Sequence, residues 1–258
     1  MLRIGIAGIA GRMGQLLAEE TRAAGALLVG GTLRPGSAGP GPAGVSILPD
    51  APALFAASEV VIDFTHASNA ALHARLAAAT GRPLVLGSSG LSASEDGVVA
   101  EAAQRTAIVH AANFAPGVNI VLAIAERLAA ALPGTGYDAE IVEMHHRQKV
   151  DAPSGTAIAL GRAVARGRGQ SLAEAGIESG RDGHTGARGT GTIGFAALRG
   201  GQVVGDHTLL FAGATEHIAL THRSFDRRAY ATGAVSAAFW LRSRPAGLYD
   251  MMDVLGMR

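Results

Sequence analysis

The chain opens with a short apolar run, residues 2–7, that ends in Gly8-Ile9-Ala10-Gly11-Arg12-Met13-Gly14, after which Met13, Leu16, Leu17 and Glu20 fall at helical spacing. Strand, glycine turn and helix in that order severely limit the architecture, because a buried strand feeding a helix returns most simply to a neighbouring parallel strand. The pattern repeats. Residues 27–33 and 60–64 read as strands, 70–79 as a helix, 83–86 as a strand followed by the loop Gly87-Ser88-Ser89-Gly90, and 107–110 as a further short strand. The fold class this predicts is α/β, a Rossmann-type doubly wound parallel sheet. Ligands of such sheets sit at the carboxyl ends of the strands, which here carry Gly8, Thr65, Gly87 and Asn113.

Glycine is abundant, 36 of 258 residues, so the G-x-x-G-x-x-G spacing is a weak signal by itself and its context carries the argument. The turn follows the first strand and opens a helix, where a dinucleotide pyrophosphate would meet unpaired amides. Gly8 would allow the tight turn, Gly11 the approach of phosphate to the backbone, and Gly14 close helix packing. At the end of the second strand an acidic residue commonly holds the ribose of NAD; this chain reads Gly31-Thr32-Leu33-Arg34 instead. Arg34, with Arg12, could pair with a 2′-phosphate, so NADPH is expected to be preferred over NADH. The Gly/Pro run 35–42 reads as a loop beside the cofactor.

From about residue 116 the grammar changes. A long helix to about residue 132, a strand over 139–145, a helix from Ser154 to about residue 166 and a Gly-rich charged loop over 167–191 precede three β-rich segments at 192–198, 203–212 and 215–222. These predict a second α+β domain with a mixed, mostly antiparallel sheet, and Gly200-Gly201 reads as a hairpin turn. A final helix over 229–241, with Val235, Phe239 and Trp240 as its apolar face, would return to the first domain. The expected division is residues 1–115, 116–225 and 226–258.

The densest chemistry lies in Glu143-Met144-His145-His146-Arg147-Gln148-Lys149-Val150-Asp151-Ala152-Pro153-Ser154-Gly155-Thr156-Ala157. Two imidazoles titrate near neutrality, Lys149 supplies a full positive charge, and Pro153-Ser154 announces a helix whose Gly155 and Thr156 amides would lack intrahelical partners. Lys149 and the helix start form two anion sites flanking two proton carriers, which points to a small dianionic substrate. Adjacent histidines on a strand face opposite ways, so His145 and His146 would not easily hold one metal ion, and no metal is expected.

Composition narrows the remaining classes. A net charge of +1, from 22 basic and 21 acidic side chains, offers no broad field for nucleic acid or an anionic membrane. With no cysteine there is no disulfide, thiolate ligand or cysteine nucleophile. Residues 1–14 lack a continuous apolar stretch, and the longest one, 120–132, is broken by Glu126 and Arg127, so neither a secretory signal nor a membrane span is expected and the cytoplasm is the expected location.

The segments IAGIAGRMG, VIDFTHASN, GSSG, AANFAPGVN and above all EMHHRQKVDAPSGTA resemble those of the 4-hydroxy-tetrahydrodipicolinate reductases, also called dihydrodipicolinate reductases, of bacterial lysine and diaminopimelate synthesis. The likeness runs nearly end to end, through RDGHTGARGTGTIGFAALRGGQVVGDHTLLFA and GAVSAAFWL. It implies an NAD(P)H-dependent reduction of a cyclic, doubly carboxylated imine in a homotetramer. By the same resemblance His145 would be the proton donor, Lys149 a second donor and carboxylate partner, His146 a substrate contact, and Gly155 and Thr156 the amides that hold a carboxylate. Gly8, Ile9, Ala10, Gly11, Arg12 and Met13, then Gly87, Ser88 and Ser89, then Ala111, Ala112, Asn113 and Phe114 would contact the cofactor. Which of His145 and His146 faces the nicotinamide is left open. Three departures stand out: Arg34 where the family often has an acid, Ser88-Ser89 for a common Thr-Thr, and Ala115-Pro116 for a Ser-containing pair, which would stiffen the expected hinge. The competing functions are another NAD(P)-dependent dehydrogenase of a small amino or imino acid, and a nucleotide sensor without turnover.

Overall fold

The computed structural model describes residues 1–34 and 41–258; most of the Gly/Pro run at 35–42 lies outside the described residues. Two compact units divide the chain, one formed by Met1–Pro116 with Arg227–Arg258, the other by Gly117–Asp226.

The first unit alternates strand and helix: β1 (Arg3–Ala7), α1 (Arg12–Ala23), β2 (Leu27–Gly31), α2 (Ala51–Ala57), β3 (Val60–Asp63), α3 (Ala70–Thr80), β4 (Leu84–Leu86), α4 (Ala93–Ala103) and β5 (Ala107–His110). The second unit holds α5 (Pro116–Ala131, entering it at Gly117), β6 (Asp138–His145), α6 (Gly155–Gly167), α7 (Leu172–Ala175), β7 (Ile177–Ser179), β8 (Ile193–Arg199), β9 (Gly205–Ala212) and β10 (His217–Ser224). The chain then returns to the first unit with α8 (Arg228–Leu241), β11 (Gly247–Tyr249) and α9 (Met251–Val254). No helix among the described residues is long and apolar enough to cross a membrane.

The first unit's six strands are ordered β11-β5-β4-β3-β1-β2 and every ladder is parallel. The order of winding reverses at β1, which pairs β2 on one side and β3 on the other, so the glycine turn after β1 stands at the topological switch point. The strands are apolar along their length because both faces are covered: Ile4, Ile6, Ile62, Val85 and Val109 pack with α1 and α8 in one cluster, and Val61, Leu84, Leu86 and Ile108 with α2, α3 and α4 in another. Helix α8 docks through Ala231, Ala234, Val235, Ala237, Ala238 and Leu241, and its four alanines let it approach the sheet closely. Phe239 was expected on that face, but it is 40% exposed; the buried stripe sits one position round the helix, and only Val235 and the half-buried Trp240 of the expected trio join the core.

The second unit's sheet, ordered β10-β9-β6-β8-β7, is mixed as expected. The two antiparallel ladders, β10·β9 and β9·β6, are longer than the parallel pair β6·β8 and β8·β7 taken together. Its inner face, with Ala139, Ile141, Ile193, Phe195, Leu209 and Phe211, packs on α5 and α6. Two expectations need correction. Gly200-Gly201 does not turn a hairpin, because β6 lies between β8 and β9; the segment instead crosses the end of β6, where the Gly200 amide donates to the His145 carbonyl (3.0 Å) and the Gly201 carbonyl accepts from the Arg147 amide (3.3 Å). The charged loop over 167–191 is not free of structure: Ser171 and Glu174 form a capping box that starts α7, and β7 follows at the sheet edge.

Candidate active site

Along β6, Ile141, Glu143 and His145 share the inner face by the two-residue period of a strand. Glu143 is 1% exposed and His145 8%. His145 Nδ1 lies 2.5 Å from Glu143 Oε2. The same carboxylate accepts two bonds from Arg199, Nη1 to Oε2 at 2.9 Å and Nη2 to Oε1 at 2.8 Å, and one from the Ser154 amide at 3.2 Å. Burial alone would raise the Glu143 carboxyl; the hydrogen bonds from Arg199 and His145 outweigh it and leave the group below the usual carboxylate range. Glu143 therefore stands as an anion beside the imidazole.

Beyond His145 the chain turns, with the Lys149 amide donating to the His146 carbonyl (3.1 Å). Lys149 Nζ donates to both oxygens of Asp151, at 2.8 and 2.9 Å, and holds that carboxyl below its usual range. His146 keeps Nδ1 buried with no partner among the described residues. After the cis Ala152-Pro153 bond, Ser154 caps α6, its Oγ accepting from the Ala157 amide at 3.2 Å, a contact of about 1 kcal/mol. Gly155 opens the helix, and a Cβ built there would meet nothing within 4 Å, so the helix start faces open space. The segment thus gathers His145, His146, Lys149, Gly155 and Thr156 between the end of β6 and the first turn of α6.

Three further residues belong to this cluster, and the sequence reading gave them no role. Glu143 is the carboxylate beside His145 Nδ1. Arg199 stands opposite His145 in the parallel β6·β8 register. His207 stands opposite Glu143 on β9, its Nε2 2.9 Å from Ser154 Oγ and its ring edge-on to His145, with centroids 5.0 Å apart. The period-2 alternation of β6 was a usable signal for Glu143; Arg199 and His207 are brought in by pairings that no local pattern reveals. Burial, reinforced by the nearby His145, pushes His207 down to about 4 from 6.5. A depressed histidine binds fewer protons folded than unfolded, so its contribution to stability is present above pH 6.5 and lost as the pH falls toward 4. On the order of 3 kcal/mol is at stake from a shift of this size. Melting curves across that window are expected to be flatter for His207→Gln than for the parent; parallel slopes would show that His207 is not the source.

The first unit holds the residues expected to meet a cofactor. Gly8 has φ +71°, and a Cβ there would come within 2.8 Å of Thr65 Cγ2; at Gly14 it would run into the Gly8 carbonyl and lie 2.6 Å from Ile9 Cα. Gly11 caps α1 without a side-chain bond, and the first turn carries no acid, so this helix start, with Arg12 exposed on it, suits a pyrophosphate. Other residues are committed elsewhere. The Ile9 side chain is fully buried and its amide donates to the Thr32 carbonyl (3.0 Å), Met13 packs partly into the core, and Phe114 is buried against Phe64 at 5.2 Å. Ala10, Gly11 and Arg12 are exposed, as are Ser89, Ala112 and Arg34. Ser88 is buried and donates to the Thr65 carbonyl (2.9 Å); a Cβ on Gly87 would strike the Phe64 ring; Ala111 packs against the core; and Asn113 Oδ1 accepts from the Ala115 amide (2.8 Å). Asp63, fully buried at the end of β3, pairs with His73 (2.6 Å) and accepts from the Thr65 amide (2.7 Å), which fixes the turn that borders Gly8.

A glycine-turned parallel sheet in one unit and a buried carboxylate–imidazole pair in the other define a nicotinamide-dependent oxidoreductase. The family descriptions "Dihydrodipicolinate reductase, N-terminus" and "Dihydrodipicolinate reductase, C-terminus" match residues 2–114 and 117–255. The 4-hydroxy-tetrahydrodipicolinate reductase of Granulibacter bethesdensis is 63% identical over 257 residues, spanning 100% of this chain and 98% of the relative, and that of Gluconacetobacter diazotrophicus is 58% identical over 256 residues, spanning 99% and 98%. The chain belongs to the dihydrodipicolinate reductase family. A solved structure of a dipicolinate-bound dihydrodipicolinate reductase from Paenisporosarcina sp. TG-14 shares the fold, with a TM-score of 0.81 at 23% identity over 98% of each chain.

Proposed function

We propose that this protein reduces 4-hydroxy-tetrahydrodipicolinate to tetrahydrodipicolinate, the reductase step of lysine and diaminopimelate synthesis, with His145 as proton donor. The observation that carries the assignment of roles is the buried Glu143–His145 pair at the end of β6, directly before a lysine-bearing turn and an open helix start. When bound, the reduced nicotinamide would supply a hydride to the conjugated ring imine that forms as the substrate's 4-hydroxyl leaves as water. Negative charge then builds on the ring, and His145 Nε2, the nitrogen not engaged by Glu143, quenches it with a proton. Lys149 holds one carboxylate. Two of its protons point at Asp151, whose side chain is 56% exposed and can yield to a substrate carboxylate by turning into water. The Gly155 and Thr156 amides hold the other carboxylate at the helix start, and His146 contacts the ring; with the substrate clamped at two points, the reacting atoms stay in line.

The cofactor is held by Gly8, Ala10, Gly11, Arg12 and the Ile9 and Met13 backbone, with Gly87, Ser88, Ser89, Ala111, Ala112, Asn113 and the Phe114 backbone completing the crevice. We assign a preference for NADPH, supported by Arg34 and Arg12 where a ribose-binding acid would otherwise stand. We further infer a homotetramer, supported by a sheet face that no helix of the second unit covers, where Val142 (39%) and Leu198 (53%) are exposed. Light scattering that gives a single-chain mass would remove this last reading.

The decisive assay follows loss of reduced-nicotinamide absorbance with substrate generated in place by the preceding synthase. Substrate-dependent consumption is expected, with a higher kcat/KM for NADPH than for NADH and a ratio that drops for Arg34→Ala. Dinucleotide binding without turnover would point to a sensor instead, and a ratio favouring NADH would remove the assigned preference.

A further inference from the structure

A carboxylate taken fully out of water is costly unless it is paired and hydrogen-bonded on every side. Glu143 meets that demand through groups far apart in the chain: Arg199 engages both oxygens from β8, the Ser154 amide bonds Oε1 from the start of α6, and His145 Nδ1 approaches Oε2. A structural ion pair would have been complete with the two-pronged Arg199 contact. The His145 contact is the shortest of the four, and it is made by the residue that ends β6 beside the lysine-bearing turn. Arg199 Nη2 also donates to the Asp151 carbonyl at 2.7 Å, so one guanidinium fixes both the carboxylate behind the imidazole and the turn that carries Lys149. His207 lies edge-on to His145 and is held neutral by its burial, so it adds no positive charge that would compete for Glu143.

We propose that Glu143, clamped by Arg199, is a positioning residue of the reaction: it accepts the Nδ1–H of His145 and thereby makes Nε2 the atom that carries and delivers the proton. The inference rests on the reading of His145 as proton donor. In the protonated ring both nitrogens carry hydrogen; Nδ1–H stays on Glu143 while Nε2–H leaves for the substrate. What remains is a neutral imidazole of fixed tautomer, and solvent restores the Nε2 proton before the next turnover.

Three measurements on the full-length protein test this. Glu143→Gln keeps the shape of the side chain but not its charge, and its kcat is expected to fall about 10–100-fold while substrate KM and dinucleotide affinity change less than about twofold. Arg199→Lys, which keeps the charge but loses the two-pronged grip, is expected to show a smaller loss of kcat together with a rise in substrate KM, because the turn that carries Lys149 is also released. Nitrogen NMR of the histidine-labelled parent, with His145 assigned by its absence in His145→Gln, is expected to show the neutral ring protonated at Nδ1. This third reading holds even if Glu143→Gln does not fold. A folded Glu143→Gln with parental kcat, or a neutral His145 protonated at Nε2, overturns the inference. If His145→Gln itself keeps parental kcat, the proton-donor reading fails and takes the inference with it; if His145→Gln is inactive while Glu143→Gln is not, the inference alone fails.

Discussion

His145→Gln is expected to lower kcat by about 10²–10⁴-fold, the range in which a positioned acid or base contributes to a proton transfer, with dinucleotide affinity unchanged. Glutamine can still bond Glu143 and Ser154 remains on the helix cap, so the fold is kept; what disappears is the imidazole whose Nε2 is not engaged by Glu143. The test is steady-state kinetics paired with titration of the dinucleotide. A drop in both kcat and cofactor affinity would mean that the substitution disturbs more than proton delivery, and parental kcat would move the acid to another residue.

Gly14→Ala is expected to act on the other unit, and through geometry instead of charge. The added methyl would run into the Gly8 carbonyl and sit 2.6 Å from both Ile9 Cα and the Ile9 carbonyl oxygen, backbone atoms on every side that have no rotamer to retreat into. Helix α1 has to move off the turn, at about 1–3 kcal/mol for overpacking of this kind, and its first amides move with it. Dinucleotide affinity is therefore expected to weaken by at least about tenfold, one such displacement being worth about 1.4 kcal/mol or more, together with a lower melting temperature. Gly155→Ala serves as the contrast, since its Cβ meets open space. Equal effects from the two substitutions would show that glycine content, not the close approach at residue 14, matters.

Much of the first unit was legible in the sequence because its determinants are local. The apolar strands, the glycine turn at residues 8–14 and the helices α1 and α3 each announce themselves within a dozen residues, and their alternation points to a parallel sheet. Short elements escaped. Helix α2 depends on the Asp50 cap and on Pro52 in its first turn, α7 on a capping box of two side chains, and β7 and β11 are three residues each. The second unit was harder because its pairings are distant. Residues 193–199 and 205–212 look like a hairpin, yet β6, more than forty residues earlier, occupies the space between them. The same non-local pairing hid part of the candidate site. The run from residue 143 to 157 could be read directly, whereas Arg199 and His207 join it only once β8 and β9 are laid on either side of β6.

That central placement of β6 has a consequence for how such a site can change over time. The strand that bears the acid is laced to a neighbour along both edges, so its side chains are anchored by two ladders at once, while the turn after it is tied down at few points, Arg199 to Asp151 chief among them. On the proposed roles, proton delivery rests on a strand paired along both edges, and the Lys149 half of anion recognition on the turn that follows it. A descendant could be refitted to a diacid of different length by recutting residues 146–153 alone, with the machinery behind the imidazole left untouched.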